Sequence, residues 1–180
     1  MKIKIEEMIE VPAGIDCKSV GNKLICSNGA LEISREVHNP GVLLKIESGK
    51  IFLNCEKGNK KEYKVIKSHI AHIKNMMRGL HKQFVYRLEA CNVHFPMTMK
   101  LEGNKLIINN FLGEKVQRFA EILTGVNVEI KGQKITLTSH NLDAAGQTAA
   151  NIEKSTKVRN RDRRIFQDGI FIVEKPGAVE

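Results

Sequence analysis

The sequence predicts an α+β protein of two tandem duplicated domains, each a small, mostly antiparallel sheet covered by one helix. Three observations predict it: an internal repeat, two separate helical periodicities, and short alternating apolar runs punctuated by Gly and Asn. Gly21-Asn22-Lys23-Leu24-Ile25 recurs 82 positions later as Gly103-Asn104-Lys105-Leu106-Ile107, and Asn28 falls on Asn110 at the same shift. Gly41-Val42, Leu44, Ile46, Lys50-Ile51 and Leu53 recur 84 positions later as Gly125-Val126, Val128, Ile130, Lys134-Ile135 and Leu137. Gly-Asn turns converge easily, but two matches in the same order at nearly the same shift indicate a duplication. With 180 residues the chain has room for two domains of about 90, read as residues 1–82 and 83–180.

In the first copy, Leu24 to Ser27 and Leu31, Ile33 alternate as two strands joined at Asn28-Gly29, a dipeptide that tolerates positive φ. Val42, Leu44, Ile46 and then Ile51, Leu53 form a second hairpin turning at Ser48-Gly49. A helix follows, with Tyr63, Ile66, Ile70, Ile73 and Met77 on one stripe and Gly79 placed as a left-handed C-cap. Lys57, Lys60, Lys61, Lys64 and Lys67, offset by Glu56 and Glu62, mostly supply the wet face of that helix. Phe84 to Cys91 alternates and bridges the copies as a strand.

The second copy has strands at Lys105 to Asn109, Val116 to Ile122, Val126 to Ile130 and Ile135 to Thr138. Its helix starts at an Asn141 N-cap and carries Leu142, Ala145, Ala149, Ile152 and Thr156 on one face. The small residues of that face let a helix lie close on a sheet. Two closing strands, Arg164 to Phe166 and Ile170 to Val173, turn through Asp168-Gly169.

Composition narrows the function. Apolar residues at 42% and charged residues at 27% are an ordinary globular balance that argues against wholesale disorder. No apolar run reaches the roughly 18–20 residues that span a bilayer. Met1 to Glu7 lacks the apolar core and small-residue site of a signal peptide, so secretion is not expected. Cys17, Cys26, Cys55 and Cys91 form no CxxC pair, and read as four reduced thiols, most of them packed as small apolar groups.

The net charge of +9 favours an anionic partner: nucleic acid, an acidic membrane surface or an acidic protein. Residues 1–82 hold 15 basic and 9 acidic side chains, the remainder 14 and 11, so the excess is not confined to a tail. The type of cation does differ, because six of the eight arginines follow Lys82. Lys154, Lys157, Arg159, Arg161, Arg163 and Arg164 put six cations in eleven residues, with Asp162 the only acidic interruption. Arginine forks match phosphate oxygens bidentately, which makes this run a phosphate signal; the alternative is a solvated loop that only aids solubility.

Catalytic patterns are missing. No GxSxG, Walker loop or GxGxxG occurs, and Gly113-Glu114-Lys115 reads as a hairpin turn. His69 and His72 share a helix face with His81 just beyond, but without HExxH or a Cys pair their expected role is structural or RNA-facing, and no metal, cofactor or catalytic residue is assigned. A competing reading is an enzyme or metal-dependent module built on those histidines; another is a basic protein-interaction module with no RNA target. Aromatic residues at 5%, with no Trp, disfavour a single-strand reader that stacks bases. Binding of folded RNA through phosphates and shape fits better.

Val93-His94-Phe95-Pro96-Met97 and Asn110-Phe111-Leu112-Gly113-Glu114-Lys115 resemble ribosomal large-subunit protein six in its archaeal and eukaryotic branch. Gly146-Gln147-Thr148-Ala149-Ala150-Asn151-Ile152-Glu153 and Arg164-Ile165-Phe166-Gln167-Asp168-Gly169-Ile170-Phe171 extend the resemblance, and His69-Ile70, Asn75-Met76 and Gly79 are similar to its first-domain helix. Phe171 stands where a tyrosine is usual, so that position lacks a hydroxyl. The resemblance implies two duplicated α+β domains and a non-catalytic, cytoplasmic constituent of the large ribosomal subunit. Its implied partners are large-subunit ribosomal RNA near the sarcin–ricin stem-loop and neighbouring proteins at the stalk base, with no membrane and no small-molecule substrate.

The residues expected to clamp phosphates are Lys154, Lys157, Arg159, Arg161, Arg163 and Arg164. Lys115 and Arg118 flank the turn after Asn110 and join them, with Lys100 and Lys175 as outlying candidates. Gly113, Gly146 and Gly169 serve either as turn and close-packing positions or as points of backbone approach to RNA. Phe95-Pro96 is read as a rigid turn packed between the domains rather than a stacking platform. The remaining alternative is a basic RNA- or protein-binding module outside the ribosome.

Overall fold

The computed structural model describes residues 3–37, 41–47, 49–93 and 95–177. Met1, Lys2, Ser48 of the expected second turn and His94 lie outside the described residues. The chain divides into two compact units, Met1–Lys82 and Gln83–Glu180.

The first unit contains β1 (Ile3–Glu10), β2 (Asp16–Val20), β3 (Lys23–Ser27), β4 (Glu32–Glu36), β5 (Leu43–Glu47), β6 (Lys50–Gly58) and α1 (Lys60–His81). They form two three-stranded sheets, β1-β6-β5 and β2-β3-β4, rather than one. The second unit contains β7 (Phe84–Cys91), β8 (Thr98–Glu102), β9 (Lys105–Asn109), β10 (Arg118–Glu121), β11 (Asn127–Lys131), β12 (Lys134–Ser139), α2 (Leu142–Ser155) and β13 (Gly169–Glu174). Its sheets are β10-β9-β8 and β11-β12-β7-β13. All these pairings are antiparallel. The duplication is thus a duplication of topology: β2-β3-β4 corresponds to β8-β9-β10, and β1-β6-β5 to β7-β12-β11. The second unit adds β13 on the outer side of β7. Both copies of the Gly-Asn repeat sit at the tight turn of a hairpin, with Gly21 at φ 60° and Gly103 at φ 56°.

Each unit has its own apolar core. In the first, Leu24, Ile51 and Leu53 from both sheets pack with Ile66, Ile73 and Met77 of α1. In the second, Leu106, Ile108, Ile135 and Leu137 meet Ala149 and Ile152 of α2. Both helices are capped by asparagine. The Asn59 side chain accepts from the Lys61 N–H at 2.7 Å while Glu62 accepts from the Asn59 N–H at 2.9 Å, a capping box. Asn141 Oδ1 accepts from Asp143 and Ala144.

Several expectations are corrected. Gly79 is buried inside α1, which runs on to His81 and stops at extended Lys82. No left-handed cap is needed, because the core draws in Leu80 and Asn28 Nδ2 donates to the Leu80 carbonyl at 2.8 Å. The β3–β4 connection is a four-residue loop, Asn28 to Leu31, in which Asn28 Oδ1 accepts from the Ala30 and Leu31 N–H groups. Arg164 to Phe166 is not a strand. The Ile165 and Phe166 N–H groups both donate back to the Asp162 carbonyl, and of the two expected closing strands β13 alone forms, pairing with β7. Three strands escaped the sequence pattern. In β1 the half-buried position Glu7 interrupts the apolar alternation and is met by Lys67 of α1 at 2.7 Å. The edge strands β2 and β8 are largely exposed and carry little alternation to read.

Candidate nucleic-acid interface

The C-terminal end of α2 organises the basic segment. Thr156 is buried at the cap; its Oγ1 donates to the Glu153 carbonyl at 3.3 Å and accepts from the Ile170 N–H at 2.9 Å. One hydroxyl therefore ties the end of α2 to the start of β13, and residues 157–168 loop between these fixed points. Asp168, also buried, accepts from the Val93 N–H at 3.2 Å and pins the far end of the loop next to β7.

Arg118 holds the near end. Its Nε and Nη2 donate to the two carboxylate oxygens of Glu114 at 2.7 and 2.6 Å, a bidentate fork. Its Nη1 donates to the carbonyls of Ser155 and Lys157 at 2.9 and 3.2 Å. The guanidinium carbon lies 4.3 Å from the centre of the buried Phe111 ring. This one side chain joins the turn after Asn110 to the end of α2 and covers carbonyls that would otherwise present negative potential to an anion. The hydrogen bond from Arg118, with a further contribution from the charge of Arg161, holds the Glu114 carboxyl below its ordinary range despite partial burial.

Local backbone geometry makes that turn. Asn110 and Leu112 are left-handed at φ 58° and 50°, and Gly113 follows at 76°, giving a 3₁₀ turn over Phe111–Gly113 in place of the expected hairpin turn. Phe111 and Leu112 anchor it in the core, and Asn110 Nδ2 donates to the Pro96 carbonyl at 3.0 Å. Phe95 is about half exposed with its ring edge beside Gly113, so the Phe95-Pro96 turn braces this loop.

Within 157–168 the chain folds on itself. Asp162 accepts from the Arg164 backbone N–H at 2.9 Å and from its guanidinium at 2.8–3.2 Å. These bonds keep the Asp162 carboxyl charged below its usual range, and Arg164 stays 89% exposed. Arg161 stacks over the Phe166 ring at 4.8 Å, and Phe166 itself packs on the core. An open groove of about 930 Å³ lies along this segment, lined by Lys154, Lys157, Arg163, Phe166, Asp168 and Phe171 among others.

The structure therefore brings Lys154, Lys157 and Arg163 to one groove, sets Arg161 and Arg164 on the folded loop, and leaves Arg159 exposed between them. Lys115 is exposed beside Glu114. Lys100 on edge strand β8 and Lys175 just after β13 are exposed but do not line the groove. Arg118 differs from the other nine, since four hydrogen bonds commit it inside the protein.

The sequence missed the Arg118–Glu114 fork, although their i,i+4 spacing is not helical here and gave no cue. Phe171 also went unread as a lining residue. It is 40% exposed, and its position between inward Ile170 and half-buried Ile172 on β13 is the alternation that could have shown it. The glycines favour packing: a Cβ on Gly146 would lie 3.0 Å from the Tyr86 hydroxyl, and one on Gly169 would lie 3.1 Å from the Phe171 ring. Gly146 thus lets α2 lie close on β7.

No three His, Cys, Asp or Glu side chains form a metal-ligand group among the described residues. Burial, with the nearby charges of Arg35 and His72, lowers the His69 pKa. No helix among the described residues is long and apolar enough to cross a membrane.

Comparison with known proteins places these features. The family described as "Ribosomal protein L6" matches residues 95–169, the span that holds the left-handed turn, α2 and the arginine loop. "Large ribosomal subunit protein uL6" of Methanococcus vannielii is 41% identical over 175 residues, which covers 97% of this chain and 96% of the relative. Shared over almost its whole length, this similarity shows that the chain belongs to the ribosomal protein L6 family of structural, non-enzymatic large-subunit proteins.

Proposed function

We propose that this chain binds large-subunit ribosomal RNA near the sarcin–ricin stem-loop and the base of the factor-binding stalk. There it holds RNA helices in register beside the site where translational GTPases dock, in the cytoplasm and against neighbouring stalk-base proteins. The observation that carries the reading is the anchored loop 157–168. Its cations project from a segment fixed at both ends, by Thr156 and Arg118 on one side and by Asp168 on the other. Such a loop presents phosphate-binding forks in a set arrangement and loses less conformational freedom on binding than a loose basic tail.

Lys154, Lys157, Arg159, Arg161, Arg163 and Arg164 are the principal contacts in this reading, with Lys115 beside them and Lys100 and Lys175 as outer contacts. Arg118 acts by holding the loop. Phe166 is covered by Arg161, which favours phosphate and shape recognition over base stacking. The test is a salt-titrated binding assay on a large-subunit ribosomal RNA fragment containing the sarcin–ricin region, with transfer RNA as competitor. Binding that survives the competitor, with a salt slope indicating several phosphates, is expected. Equal binding to both RNAs would contradict a specific sarcin–ricin contact and mean that charge alone is at work.

A further inference from the structure

We propose that Cys17 and Cys26 form a peroxide-responsive dithiol that closes into a disulfide across the β2–β3 hairpin. The two residues are register partners on adjacent antiparallel strands, so their side chains leave the same face of the sheet. Directly opposed residues in such a ladder have Cα separations of about 4.5 or 5.5 Å, both inside the span that disulfides bridge. Their sulfurs lie 2.9 Å apart, and all four cysteines of the chain are free.

The environment divides the roles. Cys26 is buried in the first unit's core, while Cys17 is half-buried at its margin and is the sulfur that a small oxidant reaches. The contact with Cys26 lowers the Cys17 pKa, and the same contact together with burial raises that of Cys26. Cys17 is thus the attacking sulfur and Cys26 the resolving one. Hydrogen peroxide converts the Cys17 thiol to a sulfenic acid with loss of one water. The Cys26 sulfur then attacks, the S–S bond forms, and the sulfenic oxygen leaves as a second water. Two electrons pass from the thiol pair to the peroxide.

The decisive experiment uses the full chain carrying Cys91→Ser, which removes the exposed thiol at the end of β7. After peroxide treatment, thiols counted in denaturant are expected to fall from three to one. The mass should drop by two hydrogens, and trypsin should release Ile5–Lys18 linked to Leu24–Arg35, separable by dithiothreitol. A second chain, Cys17→Ser with Cys91→Ser, should keep both remaining thiols at the same dose. Retention of all three thiols by the first chain would overturn the proposal. So would accumulation of sulfinic acid at Cys17 without the linked peptides, or equal thiol loss in the second chain.

Discussion

At the scale of single residues, Arg118 and Glu114 separate holding from touching. Arg118→Ala removes four hydrogen bonds and uncovers two carbonyls at the end of α2. The pair is partly exposed, so the expected loss of stability is about 1–2 kcal/mol, read by urea unfolding. RNA affinity should fall because the loop is less ordered, while the salt slope changes by less than one phosphate contact. The pH dependence has a definite sign. Glu114 has its folded pKa depressed, so its contribution is present above the ordinary carboxylate value of about 4.3 and is lost as pH falls through the folded value. Glu114→Gln should therefore flatten this part of the acid limb of the unfolding profile. An unchanged acid limb would show that the fork is not formed in solution.

At the scale of elements, the end of α2 matters more than its start. Thr156→Val keeps the shape but removes the acceptor of the buried Ile170 N–H, with an expected cost of about 1–3 kcal/mol in thermal or urea unfolding. Amide exchange at Ile170 should rise in the same variant. The helix itself was legible: the Asn141 cap and the small-residue face of Ala145 and Ala149 are local signals, and both are as the sequence predicts. The repeat was legible because glycine at positive φ leaves a mark at Gly21 and Gly103. What failed was whatever a distant residue decides. Gly79 stays helical because Asn28, distant in sequence, caps the Leu80 carbonyl, and Arg164 to Phe166 alternates but turns back onto the Asp162 carbonyl. In the interface, the cluster of cations could be read from composition. The commitment of Arg118 to Glu114, Ser155 and Lys157 could not, because it depends on how the Asn110 turn meets α2.

At the scale of the molecule, the two units share a topology, to which the second adds a longer turn after β9, the loop after α2 and strand β13. After α1 the chain reaches β7 through Lys82 and Gln83 alone, whereas after α2 the residues 156–168 intervene before β13. The first unit carries the larger net charge by sequence, yet thirteen of its fifteen basic residues are lysines, five of them on the exposed surface of α1. The second unit gathers four of its six arginines on the loop after α2. Duplication supplied a scaffold twice, and the proposed RNA contact belongs to the copy with the added loop.

The most direct test of that claim is the salt dependence of binding to the sarcin–ricin fragment by the chain carrying Arg159→Ala, Arg161→Ala, Arg163→Ala and Arg164→Ala. Each lost phosphate contact should reduce the log–log slope by roughly 0.7–0.9, with thermal unfolding little changed. A slope equal to that of the unsubstituted chain would remove the arginine loop from the RNA surface.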